Sequence, residues 1–184
     1  MSSTLGMSRG PVREALKRLE AQGVVTLTRH RGAYIRAFSR AETEDLLAIL
    51  EALAAVAARL AADAVCGGAS SADMRDAQAQ LAAWGSSDPG LIAKRRHFYD
   101  ALIAIGGNSQ LAGVMPLMQI HLLRLQAQPW FTADDLRDRT AEYAAITEAV
   151  VAGDPKRAET AMRRHMQRMT ARLRKLPDAA FALH

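Results

Sequence analysis

The sequence predicts a mainly α protein in which a small helix-and-hairpin unit precedes an all-α bundle of about six helices. Three observations carry this. A helix-length amphipathic segment, Gly6 to Gly23, is followed by two short β-branched runs. After residue 40 the chain changes to long Ala- and Leu-rich segments of helical period, with no strand pattern beyond that point. Charge divides at the same place: residues 1–40 hold eight Lys/Arg against two Asp/Glu, while residues 41–184 hold sixteen against seventeen. A basic small module joined to a nearly neutral larger one suggests that the first meets a polyanion. The 184 residues carry +5 overall, with 49% apolar and 23% charged, a balance that argues against disorder. The single Cys66 forms no internal disulfide and suits a reducing cytoplasm. No apolar run approaches the ~20 residues of a membrane span, and no signal peptide opens the chain. A cytoplasmic protein without membrane contact is expected.

In the first segment Gly6 supplies a turn, Ser8 an oxygen able to cap the free amides, and Pro11 falls in the first turn; Gly23 stops the helix. Val12, Ala15, Leu16 and Leu19 form an apolar face that must dock on a core. Arg9, Arg13 and Lys17 recur every four residues on another face, a row able to enter the major groove of DNA, where arginine matches the two acceptors of guanine. Val24–Thr28 and Ala33–Ala37 then bracket the basic tip Arg29-His30-Arg31-Gly32, a hairpin whose glycine can take positive φ. Turn, helix and basic hairpin describe a winged helix-turn-helix, truncated because Met1-Ser2-Ser3-Thr4-Leu5 is too short to be its supporting helices. Met1 reads as a late start or the remnant of a truncation, and Val12, Leu16 and Leu19 are expected to be partly uncovered. The string Met7-Ser8-Arg9-Gly10-Pro11-Val12-Arg13-Glu14-Ala15-Leu16, with Leu19-Glu20-Ala21-Gln22-Gly23-Val24-Val25 and the tip ending in Gly32, resembles the GntR family of bacterial transcription regulators. That resemblance implies that Ser8, Arg9, Gly10, Pro11 and Arg13 sit against DNA, and that His30, Arg31 and Gly32 enter the adjacent minor groove.

Phe38-Ser39-Arg40 marks the linker, so the domains divide at 1–38 and 39–184, with Ser39 capping a helix that begins near Arg40. Leu46, Leu50, Leu53, Ala57, Leu60 and Ala61 trace a long first helix ending before Gly67-Gly68, its alanines allowing close helix contact. Ser70-Ser71 open a second, through Met74, Ala77, Leu81 and Trp84; Gly85 to Gly90 is a break. Leu91–Ile105 forms a third, Leu111–Leu125 a fourth, Thr132–Ala152 a fifth and Lys156–Lys175 a sixth, with a loose tail from Pro177.

This second part resembles the FadR-type branch of the same family, through Ala58-Arg59-Leu60-Ala61-Ala62, Phe98 with Leu102 and Gly107-Asn108, and Gly153-Asp154 with Ala158, Met162 and His165. The resemblance implies a helical domain that dimerises and holds a small metabolite, commonly an organic acid or acyl compound. Many members hold a divalent metal with an aspartate, a histidine four residues on and two further histidines. At those positions this chain has Arg95, Tyr99 and Tyr143, and only His165 remains, so no metal and no other cofactor is expected. Arg95 would anchor an acidic group of the effector, with Tyr99, Tyr143 and His165 donating hydrogen bonds; an outward-pointing Arg95 is the open alternative. Leu50 stands where the branch often has an arginine. His97 and His121 are the remaining pair that could hold a metal, with surface or interface histidines the blander account. Arg163, Arg164, Arg168, Arg172 and Arg174 read as an outer face that Glu159 and the acidic Asp134, Asp135, Asp138 and Glu142 neutralise.

No nucleophile elbow, phosphate loop or paired zinc motif is visible, which argues against an enzyme. The reading is a homodimeric, effector-responsive repressor on a palindromic operator. Two alternatives remain: a metabolite-binding helical dimer that has lost DNA binding, and, more remotely, a metal-dependent helical enzyme.

Overall fold

The computed structural model describes residues 8–28, 32–83, 90–115 and 117–182, with backbone only at Arg9, Leu117, Met118 and Leu136. Helix α1 spans Arg9–Ala21. Ser8 occupies its N-cap position with extended backbone, yet its hydroxyl makes no capping bond. The reason lies three residues on, because Pro11 has removed the amide that a serine cap usually engages. At the other end Gly23 adopts φ 69°, letting its amide bond Glu20 and that of Val24 bond Leu19. Strands β1 (Val25–Thr28) and β2 (Gly32–Ile35) pair antiparallel, Val25 opposite Ile35 and Thr28 opposite Gly32. Gly32 takes the positive φ expected of it, 90°. The hairpin tip, residues 29–31, lies outside the described residues, as do the expected turn at Gly6 and the segment 1–5.

The bundle begins where the capping chemistry says it should. Ser39 and Glu42 form a reciprocal capping box on α2 (Arg40–Cys66), and Thr132 and Asp135 do the same on α7 (Ala133–Val151). Between them lie α3 (Ala72–Ala82), α4 (Leu91–Gly106), α5 (Ser109–Val114) and α6 (Leu117–Ala127); α8 (Pro155–Arg174) follows, with Asp154 capping its first turn. Helix α2 runs through the middle against α8 and α4, and α7 closes on α8 and α3. No helix among the described residues is long and apolar enough to cross a membrane.

Three expectations change. The single fourth helix is two, because Pro116 lacks an N–H and restricts its predecessor: Met115 is extended at φ −72°, ψ 118°. The tail is not loose. A 3-10 turn at Asp178–Ala180 follows Pro177, the Ala182 amide bonds Phe38 O at 2.9 Å, and Arg40 stacks on Phe181 at 4.4 Å. The alanine row of α2 is narrower as a contact surface than the pattern suggests, since Ala54, Ala55, Ala57, Ala58, Ala61 and Ala62 are each buried in this chain, while Ala41, Ala48 and Ala52 are exposed.

Candidate functional site

The DNA-facing candidates occupy one side of α1. Gly10, Pro11, Arg13 and Lys17 are all exposed, and Lys17 Nζ rests 3.0 Å from Glu14 Oε1. Arg9 is placed only by its backbone, on the first turn, while His30 and Arg31 lie outside the described residues. A side chain at Gly10 would meet nothing within 4 Å inside this chain. Among the described residues no packing contact therefore requires a glycine at this first-turn position. Glu20 Oε1 accepts the Leu27 amide at 3.1 Å, fixing the hairpin relative to the helix. The opposite face is thinly covered: Val12 and Leu16 are half-buried and Leu19 is 36% exposed.

The effector candidates come together in the interior. Arg95 and Tyr99 descend from α4, Tyr143 from α7 and His165 from α8, with exposures of 3%, 0%, 4% and 0%. The outward alternative for Arg95 is therefore not adopted. Phe98 packs edge-on against Tyr143 at 4.7 Å, and the Tyr143 and His165 rings lie 4.8 Å apart. Sequence reasoning missed four members of this cluster's core or misread their setting. Arg124 and His121 project from α6, and Arg139 and Glu142 from α7, none of them more than 6% exposed. Arg124 Nη2 donates to Tyr99 Oη at 3.2 Å and to Met169 Sδ at 3.5 Å; Arg139 lies 4.5 Å over the Phe131 ring. A signal existed: Arg95-x-x-x-Tyr99 and Arg139-x-x-x-Tyr143 are the same pair on two helices.

Glu142 governs the electrostatics. Burial would raise its carboxyl, but hydrogen bonds from His165 and Arg172 outweigh this and bring it down to about 2. His165 Nδ1 stands 2.7 Å from Glu142 Oε2. Since an ionised carboxylate only accepts, Nδ1 carries the proton, and burial keeps the ring neutral by lowering its pKa. His165 Nε2 is then a lone pair. The expected donor is an acceptor instead, and its buried Nε2 has no partner. Arg172 ties Glu142 outward, reaching it at 2.9 Å, Asp135 at 3.3 Å and Asp138 at 3.5 Å. Of the outer arginines, Arg163 pairs with Glu159 and Arg168 and Arg172 with Glu142 as expected, while Arg174 pairs with Glu44 of α2; Arg172 itself is mostly buried.

The rest of the cluster is positive. Burial first, then neighbouring arginines, pushes Arg95 down to about 9 and Arg139 to about 10, the phenol of Tyr143 acting against both effects. His121 falls to about 3, again by burial and then by Arg124, Arg95 and Arg96. Buried nitrogens without a hydrogen-bond partner include both of His121, Nε and Nη1 of Arg124, and Nε of Arg139. This donor set does not suit a metal ion: its imidazole lone pairs, on His165 and His121, share the interior with guanidinium charges and no free carboxylate joins them. Nor do the two other histidines form a pair, since His97 bonds Asp76 at 3.3 Å on the surface and His121 is 2% exposed.

Helix α6 links this cluster to the N-terminal unit. Gln119 Nε2 donates to Gln22 O at 3.3 Å, at the end of α1. Two turns on, Gln126 Oε1 accepts the Phe38 amide at 2.7 Å, and its Nε2 donates to Phe38 O at 2.8 Å and Ala180 O at 2.9 Å. Arg124 sits between those two residues.

Comparison with known proteins agrees with this two-part organisation. The family described as bacterial regulatory proteins, gntR family, matches residues 1–35, and the FCD domain matches residues 45–168. The chain belongs to the GntR family and carries an FCD domain. It is 40% identical over 104 residues to an "Uncharacterized HTH-type transcriptional regulator in the TAR-I ttuE-ttuC' intergenic region" of Agrobacterium vitis, a match covering 54% of this chain and 61% of that one. It is 27% identical to the "Probable D-xylose utilization operon transcriptional repressor" of Paenarthrobacter nicotinovorans, over 90% of this chain and 73% of that protein. The chain thus spans about three fifths to three quarters of these relatives. Among solved structures, E. coli McbR/YncC superposes with a TM-score of 0.79 at 20% identity, covering 95% of this chain and 84% of that one. A transcriptional regulator GntR from Rhodococcus sp. RHA1 gives 0.73 at 18%, covering 96% and 84%. These likenesses establish the fold as a winged helix-turn-helix unit joined to an all-helical FCD bundle.

Proposed function

We propose that this GntR-family regulator is a repressor that reads a palindromic operator as a homodimer and responds to an organic-acid effector held by the FCD bundle. The observation that carries the effector half is the buried pair Arg124 and Arg139, neither of which has a carboxylate in ion-pair contact among the described residues, Glu142 being committed to His165 and Arg172. Permanent charge is costly to bury, so a site of this kind answers to an anion. Tyr99 and Tyr143 offer hydroxyls beside it, and His165 Nε2 accepts. The FCD domain of the family and the repressor named among the relatives support the same reading.

In the DNA half, Arg9, Arg13 and Lys17 face the major groove, Ser8, Gly10 and Pro11 approach the phosphates, and His30, Arg31 and Gly32 enter the minor groove. The free space at Gly10 supports close approach of a phosphate backbone. Helix α6 is the route between halves, because a shift of Arg124 on binding an anion carries Gln119 and Gln126 with it, and with them the end of α1 and the linker at Phe38. A gel-shift titration on the DNA upstream of its own gene tests the assignment. Arg13→Ala is expected to weaken binding by ~1–3 kcal/mol and relax base preference at one position per half-site, with no loss of fold. Unchanged affinity and preference would mean that α1 is not the reading helix. Sedimentation at micromolar concentration checks the dimer, and a stable monomer would remove the basis for a palindromic site.

The second reading, a metabolite-binding dimer without DNA binding, is favoured by one observation, the thin cover over Val12, Leu16 and Leu19. A longer chain extended into any upstream coding sequence separates the two: only the repressor reading expects the extension to tighten operator binding.

A further inference from the structure

We infer that the cluster takes a dianion, a dicarboxylate or a phosphate monoester, gripped by Arg124 and Arg139 with no metal between them. This rests on the effector reading above and narrows its ligand class. Arg124 is 2% and Arg139 4% exposed. Among the described residues neither guanidinium has a carboxylate within ion-pair distance: Glu142 is taken by His165, Arg168 and Arg172, and Asp135 by Arg172. Arg124 leaves Nε and Nη1, and Arg139 leaves Nε, buried without a hydrogen-bond partner. These are buried guanidinium donors, suited to the oxygens of a carboxylate or phosphate, and they do not give up their protons at any physiological pH.

Counting charge then sets the ligand. Two buried cations call for two negative charges: Arg124 has no carboxylate in ion-pair contact among the described residues, and Arg139 feels only Asp135, which is itself ion-paired with Arg172. A neutral sugar would leave both guanidiniums uncompensated, and a monoanion would leave one. The two cations come from different helices, α6 and α7, so the ligand's charges belong at two places rather than one. Met166 and Met169 lie against Tyr99 and Arg124, at 3.9 Å and 3.5 Å, and their flexible side chains can adapt to the length of chain between the charges.

Thermal unfolding of the dialysed full chain, at fixed ionic strength and pH about 7.5, where a phosphate monoester is mostly dianionic, tests this. The monoanions are acetate, butyrate and monomethyl succinate; the dianions are malonate, succinate and glutarate in one arm, and inorganic phosphate and methyl phosphate in the other. At least one dianion is expected to raise Tm by about 4 °C or more, saturably, while its matched monoanion does not. Arg124→Gln and, independently, Arg139→Gln are expected to abolish that shift, and either variant suffices should the other fail to fold. A response confined to one arm assigns the dianion to that source. An equal response to monomethyl succinate and succinate would overturn the dianion while leaving an anionic effector in place. A shift that survives both substitutions, or no saturable shift from any dianion, would overturn the assignment of the cluster as a dianion site. Operator binding by the unsubstituted, ligand-free chain, measured in parallel, separates this failure from failure of the repressor reading.

Discussion

Helix α1 and helix α2 are both amphipathic, both open near a serine and both end near a glycine, but they belong to opposite kinds of structure. None of α1's apolar residues joins the core, whereas ten residues of α2 are buried and its alanine row is pressed against α8 and α4. Their attachments to the rest differ as well: α1 is held through its hairpin and by Gln119, and the linker by Gln126 and by the ion pair of Arg36 with Glu42 at 2.6 Å. A helix with little buried surface keeps its side chains free for an outside partner. One that builds the core can host chemistry only by burying it. The first arrangement displays function on the surface, and the second hides it among four helices.

The largest expected effect sharpens this contrast with one kind of substitution in both regions. Phe38 precedes α2 in sequence at the end of the N-terminal unit, yet it is 2% exposed, packs into the bundle core and has both backbone groups held by Gln126. Phe38→Ala is expected to cost ~3–5 kcal/mol, the range for a buried aromatic. Leu19→Ala on α1 is expected to cost less than about 1 kcal/mol, because the side chain is already 36% exposed. Denaturant unfolding measures both. Similar losses would mean that α1 docks on the core in solution, and the division between display and core would fail.

Acid is the next probe, and it acts on the bundle alone. His121 and His165 have folded pKa values below the ordinary imidazole value of 6.5, so the unfolded chain binds protons before the folded one does. Their contribution is fully present above about pH 6.5 and declines as pH falls toward 3, the folded value of His121. Glu142, held near 2 against 4.5 when free, adds a further loss that begins near pH 4.5. Stability is expected to drop by a few kcal/mol, an order-of-magnitude figure, between pH 7 and 4. His121→Leu removes two unpartnered ring nitrogens, so it should flatten that slope without lowering stability at pH 8. An unchanged slope in the variant would move the acid sensitivity away from α6.

The same contrast explains what the sequence could and could not tell. The reading helix and hairpin were legible because their residues act at local spacing: Arg9, Arg13 and Lys17 share a face by periodicity alone. Capping chemistry is local too, so Ser39 and Thr132 mark helix starts as the pattern expects, and Asp154 before Pro155 does the same one residue earlier than expected. The break before Pro116 was equally local and went unused, because the apolar run on both sides of it suggested one helix. The cluster is different in kind. Arg95, Tyr99, Tyr143 and His165 were found through family resemblance, but Arg124 and Arg139 became visible only when α6 and α7 were placed against α4 and α8. Arg124 sits in a run rich in leucine, which reads as ordinary core edge, and His121 reads as a surface residue until its helix is seen to be buried on that side. A lone side chain carries no sign of whether its neighbours from other helices will neutralise it.

The smallest expected effect tests whether the display region has any internal order of its own. Glu20 is exposed on α1, yet its carboxylate accepts the Leu27 amide of β1 at 3.1 Å and so fixes the angle between helix and hairpin. Glu20→Ala removes one charge-assisted bond at the surface, worth about 1 kcal/mol or less, and global stability is expected to stay within about 0.5 kcal/mol because the bundle carries the core. Operator affinity is expected to fall by several-fold even though Glu20 makes no base contact in the proposed complex, since hairpin and helix must reach two grooves at once and now do so at a cost in entropy. Glu20→Gln retains an acceptor and should recover most of that affinity. The comparison can mislead here, because losing an acidic residue also reduces repulsion from phosphate; salt titration resolves this, as a purely electrostatic change alters the slope of log affinity against log salt while a loosened hairpin lowers affinity at every salt concentration. Tighter binding by Glu20→Ala, with a steeper slope, would show that the hairpin is positioned without it.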